Sequence, residues 1–234
     1  MRAFVLVALV PAILLAGLAF VKARAALQAE IEQSLVTQAG AVAADLDKLL
    51  FERLQNAAIW SQLEVMQDLQ VQDVDRRLSS FLARLREGYG GVYRELSAAD
   101  PNGRIVASSE PAALGKSVGP APVWQQVHLG GTTLDLSLPR AAGPDEAGTL
   151  LIRTPIASRF DDARLGELRL RFDWGQVNDI LDRAAGDDRM VAVLDAGGRL
   201  VAASQSLRKR GLIETDRRDG LKALPQNNGA YVLD

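Results

Sequence analysis

Hydrophobic and polar positions divide the chain into three stretches with different periods. Ala3 to Val21, AFVLVALVPAILLAGLAFV, runs for nineteen positions without a charged or strongly polar side chain. At about 1.5 Å rise per residue this run nearly spans a hydrocarbon core of about 30 Å, and spanning helices tolerate a proline such as Pro11. The pattern predicts a transmembrane signal-anchor over residues 1–24. The alternative is a cleaved secretory signal with Ala23-Arg24-Ala25 as a small-x-small site, but the run exceeds the roughly 7–15 residues of a signal core. Both readings place the chain after about residue 25 outside the cytoplasm.

The second stretch has the period of a helix. No proline occurs from Ala12 to Asp100, and between Lys22 and Glu87 the only glycine is Gly40. Leu27, Ile31, Leu35, Val42, Leu46, Leu49 and Ala57 recur mostly at gaps of three, four or seven, an amphipathic stripe. Ala, Leu, Gln and Glu dominate, which suits a helix. The segment exceeds an average helix of about 11–12 residues, so a stalk over residues 25–88 is expected. A second helical stretch, about Val74 to Arg86, ends at Gly88, with Gly90-Gly91 marking the break. The stripe could pack on the domain's own sheet or form a parallel dimer seam, and the two are compatible.

After Gly91 the period drops to that of strands. Val92–Ala98 and Arg104–Ser108 flank Asp100-Pro101-Asn102-Gly103, in which Pro fixes one dihedral and Asn-Gly accepts positive φ, so a hairpin is predicted. Leu134–Leu138, Leu150–Ile156 and the alternating Leu168-Arg169-Leu170-Arg171-Phe172 are further strands, and Trp174–Ala185 reads as a helix ending at Gly186. One motif recurs: DPNGRIVASS from Asp100 and DAGGRLVAAS from Asp195 match at six of ten positions, 95 residues apart.

Composition narrows the chemistry. Lys and Arg (27) nearly balance Asp and Glu (29), so the basic footprint of a nucleic-acid binder is missing. Zero cysteine excludes disulfides, thiolate catalysis and Cys-ligated zinc. Gly115-Lys116-Ser117 resembles the tail of a phosphate-binding loop, but position 110 is Glu and Gly119-Pro120 interrupts any following helix. His128, the only histidine, stands beside Gly130-Gly131 without an acidic neighbour and is expected to be an exposed loop or strand residue. The pairs Asp161-Asp162 and Asp187-Asp188 read as solvated loop charge, because adjacent residues do not face one another. No catalytic, metal-ligating or cofactor-binding set emerges.

These residues, in this order, resemble the double Cache family, the tandem PAS-like sensor regions of bacterial histidine kinases, chemoreceptors and diguanylate cyclases. Besides the membrane run, the long helix and the D-x-x-G hairpin with its A-S-S end, Leu114–Ser117, Thr154-Pro155-Ile156 and Gly166-Glu167-Leu168 through Trp174 are similar to family segments. The resemblance implies an α+β fold with an anchor over 1–24, a stalk over 25–88, a membrane-distal PAS-like antiparallel sheet domain over 89–188 and the beginning of a second over 189–234. About 45 residues remain for that second unit, so the chain is expected to be a fragment or truncated product. The family's sheet forms a concave pocket, whose candidate lining here is Tyr93, Arg94, Trp124, His128 and Arg153. The amino-acid-binding pattern of the family does not thread through Gly119 to Leu138. The expected role is ligand sensing at the periplasmic face of the inner membrane, with occupancy passed through the long helix of a homodimer. A histidine kinase output is favoured over a chemoreceptor or cyclase, and the alternative is a membrane-tethered protein-interaction module.

Overall fold

The computed structural model describes residues 2–119, 123–137, 148–161, 163–187, 189–195 and 200–209, with side chains from Leu15 onward. The chain divides after Ala44, and the unit from Asp45 to Arg218 contains all the described strands. Outside the described residues lie Leu138, Asp162, Asp188, the turn at 196–199 and residues 210–234, as do the side chains of 1–14 in the expected anchor. Among the described residues no helix is long and apolar enough to cross a membrane.

Helix α1 covers Arg2–Trp60, as a run rich in Ala, Leu, Gln and Glu with only Gly17 and Gly40 favours. It ends where the Ser61 hydroxyl donates to the Ala58 carbonyl at 2.9 Å, and a 3₁₀ segment follows over Glu64–Val71. Helix α2 covers Arg77–Gly88. The helical segment expected over 25–88, with its second stretch from about Val74, consists of α1, the 3₁₀ segment and α2. The break lies at Gln72, Asp73 and Arg76, which take φ of 57°, 47° and 61° without any glycine to announce the turn. Buried Asp73 offsets that cost by capping α2: its carboxylate accepts from the Leu78 and Ser79 amides at 2.9 and 3.0 Å and from the Ser79 hydroxyl at 2.5 Å. That cap starts the helix at Arg77 and not at Val74.

Six antiparallel strands form one sheet: β1 (Tyr93–Ala99), β2 (Ile105–Ser108), β3 (Gln125–Leu129), β4 (Thr132–Ser137), β5 (Thr149–Ala157) and β6 (Arg164–Asp173), in the order β2-β1-β6-β5-β4-β3. The predicted hairpin is present, with the Asp100 carboxylate accepting from the Asn102 and Arg104 amides at 2.9 Å and Gly103 at φ 79°. β3 was not predicted; Gly130 and Gly131, both at positive φ, turn it into β4. Helix α3 (Gly175–Ala185) follows β6.

Alternation gives the sheet two unlike faces. Leu96 pairs Leu170, which pairs Ile152, which pairs Leu136. This row, with Leu150, Ile156, Leu168, Phe172 and Leu134, is apolar and, except for half-buried Leu136, buried. The end of α1, the 3₁₀ segment and α2 supply Ala57, Trp60, Met66, Leu69, Leu78 and Leu82 to the core. Each fully buried Leu or Phe contributes on the order of 1.5–3 kcal/mol.

The sequence repeat is a structural repeat. Strands β7 (Ala192–Leu194) and β8 (Leu200–Ala203) pair as Ala192 with Ala203, Val193 with Ala202 and Leu194 with Leu200. Shifted by 95 residues these are Ser97–Ser108, Ala98–Ala107 and Ala99–Ile105, with the register irregularity at the same step. The closing clasp recurs as well. The Leu96 amide donates to the Ser109 hydroxyl at 2.9 Å while the Ser109 amide donates to the Leu96 carbonyl at 2.8 Å; Val191 and Ser204 do the same at 3.1 and 2.8 Å. Chance likeness of turn residues does not reproduce pairing, irregularity and clasp together. A helical turn follows each copy: Pro111–Ala113 in the first, and α4 (Gln205–Lys209) in the second.

Two substitutions test this packing. A Cβ on Gly166 would stand 2.0 Å from the Ala99 carbonyl oxygen, so Gly166→Ala forces β6 off β1 and should lower unfolding free energy by about 1–3 kcal/mol or more in urea titrations. Leu170→Ala, fully buried at the sheet centre, should cost about 2–5 kcal/mol.

Candidate functional site

The sheet face opposite the aliphatic one carries charge. Cross-strand pairing aligns Asp135, Arg153, Arg169 and Ser97 in one row, with Glu167, Arg171 and Glu95 beside it. These groups are partly withdrawn from water: the side chains of Glu167, Glu95 and Arg169 are 10%, 11% and 17% exposed. Glu167 gathers three guanidinium groups, Arg169 at 2.7 Å, Arg164 at 3.4 Å and Arg153 at 3.6 Å. Arg153 also donates to Asp135 at 2.9 Å, and Arg171 reaches Glu95 at 3.1 Å. Arg153 lies 4.4 Å from the Trp124 ring centre, a cation–π contact. The Trp124 indole N–H is buried with no hydrogen-bond partner among the described residues.

The face is a row of paired guanidinium and carboxylate groups. Guanidinium groups are always protonated and serve neither as bases nor as nucleophiles. Paired with carboxylates at low exposure, they make charge-assisted hydrogen bonds, and a group that loses its partner there is left costly.

On the aliphatic face, at the other end of β1, stands an aromatic box. Tyr93 is 1% exposed, and its ring meets Trp60, Tyr89 and Phe172 edge to face at 5.5, 5.4 and 6.3 Å. Arg53 of α1 projects among these rings, 5.8–6.0 Å from the Tyr89, Tyr93 and Phe172 centres. Asn56, one turn on, donates to the Tyr93 hydroxyl at 3.0 Å. Burial raises the Tyr93 phenol above its ordinary value of 10.0, against the lowering influence of Asn56 and Arg53.

The five residues predicted to line a pocket separate accordingly. Trp124 and Arg153 meet. His128, exposed on β3 opposite Thr133, lies on the charged face but makes no part of its ion-pair row. Tyr93 stands on the opposite face, inside the box. Arg94 occupies a bulge and bonds Asp173 at 3.0 Å, where Asp173 also accepts from the Gly175 amide at the start of α3. Asp135, Glu167, Arg169, Arg171, Glu95 and Arg53 were not singled out. The alternation around Leu168 and Leu170 did mark the two arginines as sharing a face, but not that acids from β1, β4 and β6 would meet them.

Asp68, Asp73 and Asp75 place carboxylate oxygens within 4.8 Å of one another near the start of α2. Burial, opposed by Arg77 and reinforced by Asp75, Asp73 and Glu64, raises the Asp68 carboxyl. Asp73 is committed to its cap, and Asp68 pairs Arg77 at 3.1 Å.

No protein-family model and no curated protein matches the chain. Solved structures do. The sensor domain of the V. cholerae histidine kinase DctB aligns at TM-score 0.56 and 12% identity, over 74% of this chain and 68% of that one. A domain of a sensory box/GGDEF family protein from Vibrio parahaemolyticus aligns at 0.52 and 12%, over 81% and 77%. The extracellular domain of vpHK1S-Z8, described as a histidine kinase, gives 0.50 and 12%, over 73% and 67%. At that identity the likeness is one of fold. The chain has the α+β fold of these sensor domains, a long N-terminal helix with an antiparallel sheet, and the Cache-type resemblance read from the sequence holds at that level.

Two measurements check the site. Glu167→Gln removes the charge shared by three arginines and should cost about 1–3 kcal/mol of unfolding free energy, whereas Arg164→Ala, whose side chain is 61% exposed, should change it by under about 0.5 kcal/mol. Because the folded chain holds the Tyr93 proton more tightly than the unfolded one, its contribution is complete below about pH 10 and declines as pH rises through the elevated folded value. Denaturation at pH 9 and pH 11, bracketing the ordinary 10.0, should show a smaller alkaline loss in Tyr93→Phe than in the unaltered chain.

Proposed function

We propose that the chain is the extracytoplasmic ligand-sensing region of a bacterial transmembrane signalling receptor. The observation that carries this reading is the two-faced sheet: one face packs on α1, and the other presents partly buried ion pairs around Trp124, Arg153 and Glu167. Residues 89–188 are the sensing domain, and the recurrent hairpin from Arg189 opens a second unit of the same kind. Membrane anchoring near the N-terminus is supported by Leu15, Leu18, Phe20 and Val21, whose side chains are 61–69% exposed on α1. The sheet then faces the periplasm of the inner membrane, and a homodimer through α1 would carry occupancy onward to an output such as a histidine kinase, a chemoreceptor or a diguanylate cyclase.

One observation favours a second reading, a tethered protein-interaction module without a small ligand: each arginine of the row already has a carboxylate partner in its own chain. Thermal shift against a panel of small organic acids, amines and zwitterions separates the two. A stabilising compound whose effect disappears in Arg153→Gln supports sensing, and no stabilisation by any class favours the interaction module. For location, alkaline phosphatase fused after Ala185 should be active in cells; an inactive, stably expressed fusion contradicts the export reading.

A further inference from the structure

The bulge in β1 links the two faces of the sheet. Tyr93 pairs with Phe172 and Glu95 with Arg171, so one step along β6 matches two along β1, and Arg94 is the inserted residue. In a regular strand residues 93 and 95 share a face. The insertion instead puts Tyr93 with Phe172 on the helix-bearing side and Glu95 with Arg171 on the charged side. Two consecutive α-carbon steps therefore connect the ion-pair face to the box that grips α1.

Each end of this connection is anchored. Glu95 accepts from Arg171 at 3.1 Å and from the Ser108 hydroxyl at 3.5 Å. The inserted residue is tied outward, its side chain to Asp173 at 3.0 Å and its carbonyl to Arg86 at 3.4 Å. Tyr93 takes the hydrogen bond of Asn56 and contacts Trp60. Arg53, 7% exposed, pairs with Glu52 at 2.9 Å through Nη2, while its buried Nη1 has no hydrogen-bond partner among the described residues and the guanidinium lies about 6 Å from the ring centres. Arg53 stands at the roughly 6 Å reach of cation–π attraction for three rings at once, so a movement of Tyr93 away from it weakens its hold.

We infer that the Arg94 bulge is a transmission element: the Glu95–Arg171 pair on the charged face sets the position of Tyr93, and with it the hold of the aromatic box on Arg53 and Asn56 of α1. Its use in signalling rests on the sensing reading above, but the coupling itself needs no ligand. A ligand that draws Arg171 or Glu95 away would loosen α1 at its last turns without touching it.

The test is a double-mutant cycle on the full chain, Glu95→Gln against Arg53→Met, with unfolding followed by far-ultraviolet circular dichroism. Sites on opposite faces that act independently multiply their effects; coupling through the bulge predicts a departure of about threefold or more in the unfolding constant. Glu167→Gln with Arg53→Met is the control, expected to multiply. Should the double variant not fold, a chain carrying Trp124→Phe and Trp174→Phe leaves Trp60 as the sole indole, and Glu95→Gln must shift its emission where Glu167→Gln does not. Independent effects in the cycle, or an unmoved Trp60 emission, overturn the inference. Either failure leaves the sensing reading standing, since that reading is decided by ligand stabilisation in the unaltered bulge.

Discussion

Strand alternation is the constraint from which the other properties of this molecule follow. A strand offers every second side chain to each side, so β1, β5 and β6 can bury Leu96, Leu170 and Ile152 on one face only by presenting Ser97, Arg169 and Arg153 on the other. The apolar side then requires cover, which α1 and α2 provide. The polar side keeps guanidinium and carboxylate groups close together in a place of low exposure, where they are stable as pairs and costly as singles. A slip of one residue in register would exchange the two sets and destroy both the core and the site.

This arrangement separates the apolar packing from the charged row. Stability resides in the apolar rows and in the tight approach of Gly166 to Ala99, with the ion pairs around Glu167 adding to it on the other face. The Asp73 cap fixes α2 beside three left-handed residues that carry strain. Between the two faces of the sheet stands the bulge at Arg94, which puts Tyr93 on the side of Phe172. The repeated hairpin indicates that the same solution was used twice, since the Ser109 and Ser204 clasps occupy equivalent places.

Local patterns in the sequence were enough to locate most elements. Alternation marked β4 and β6, Pro-Asn-Gly marked the first hairpin, and the repeat of DPNGRIVASS pointed to a second strand pair, which β7 and β8 form in the same register. What escaped was non-local or unannounced. Left-handed φ at Gln72, Asp73 and Arg76 has no glycine to signal it. Gln125–Leu129 has only Val127 and Leu129 as apolar positions, too few for a period to show. The site itself depends on which strand lies beside which: nothing near Arg153 reveals that Asp135 and Glu167 will flank it, and nothing near Tyr93 reveals that Arg94 is an extra residue that turns it to the other face. Single residues rich in chemistry, such as His128, drew notice, while groups that act only in combination did not.

The central claim is that a change on the charged face is felt by α1 across the sheet. Amide hydrogen exchange of the full chain, read over residues 45–60 of α1, tests it most directly. Arg171→Gln should speed exchange in the turns around Arg53 and Asn56, while Arg164→Gln, on the same face but away from the bulge, leaves them as they were. Equal exchange in all three chains would mean that the two faces are independent, and would contradict the account.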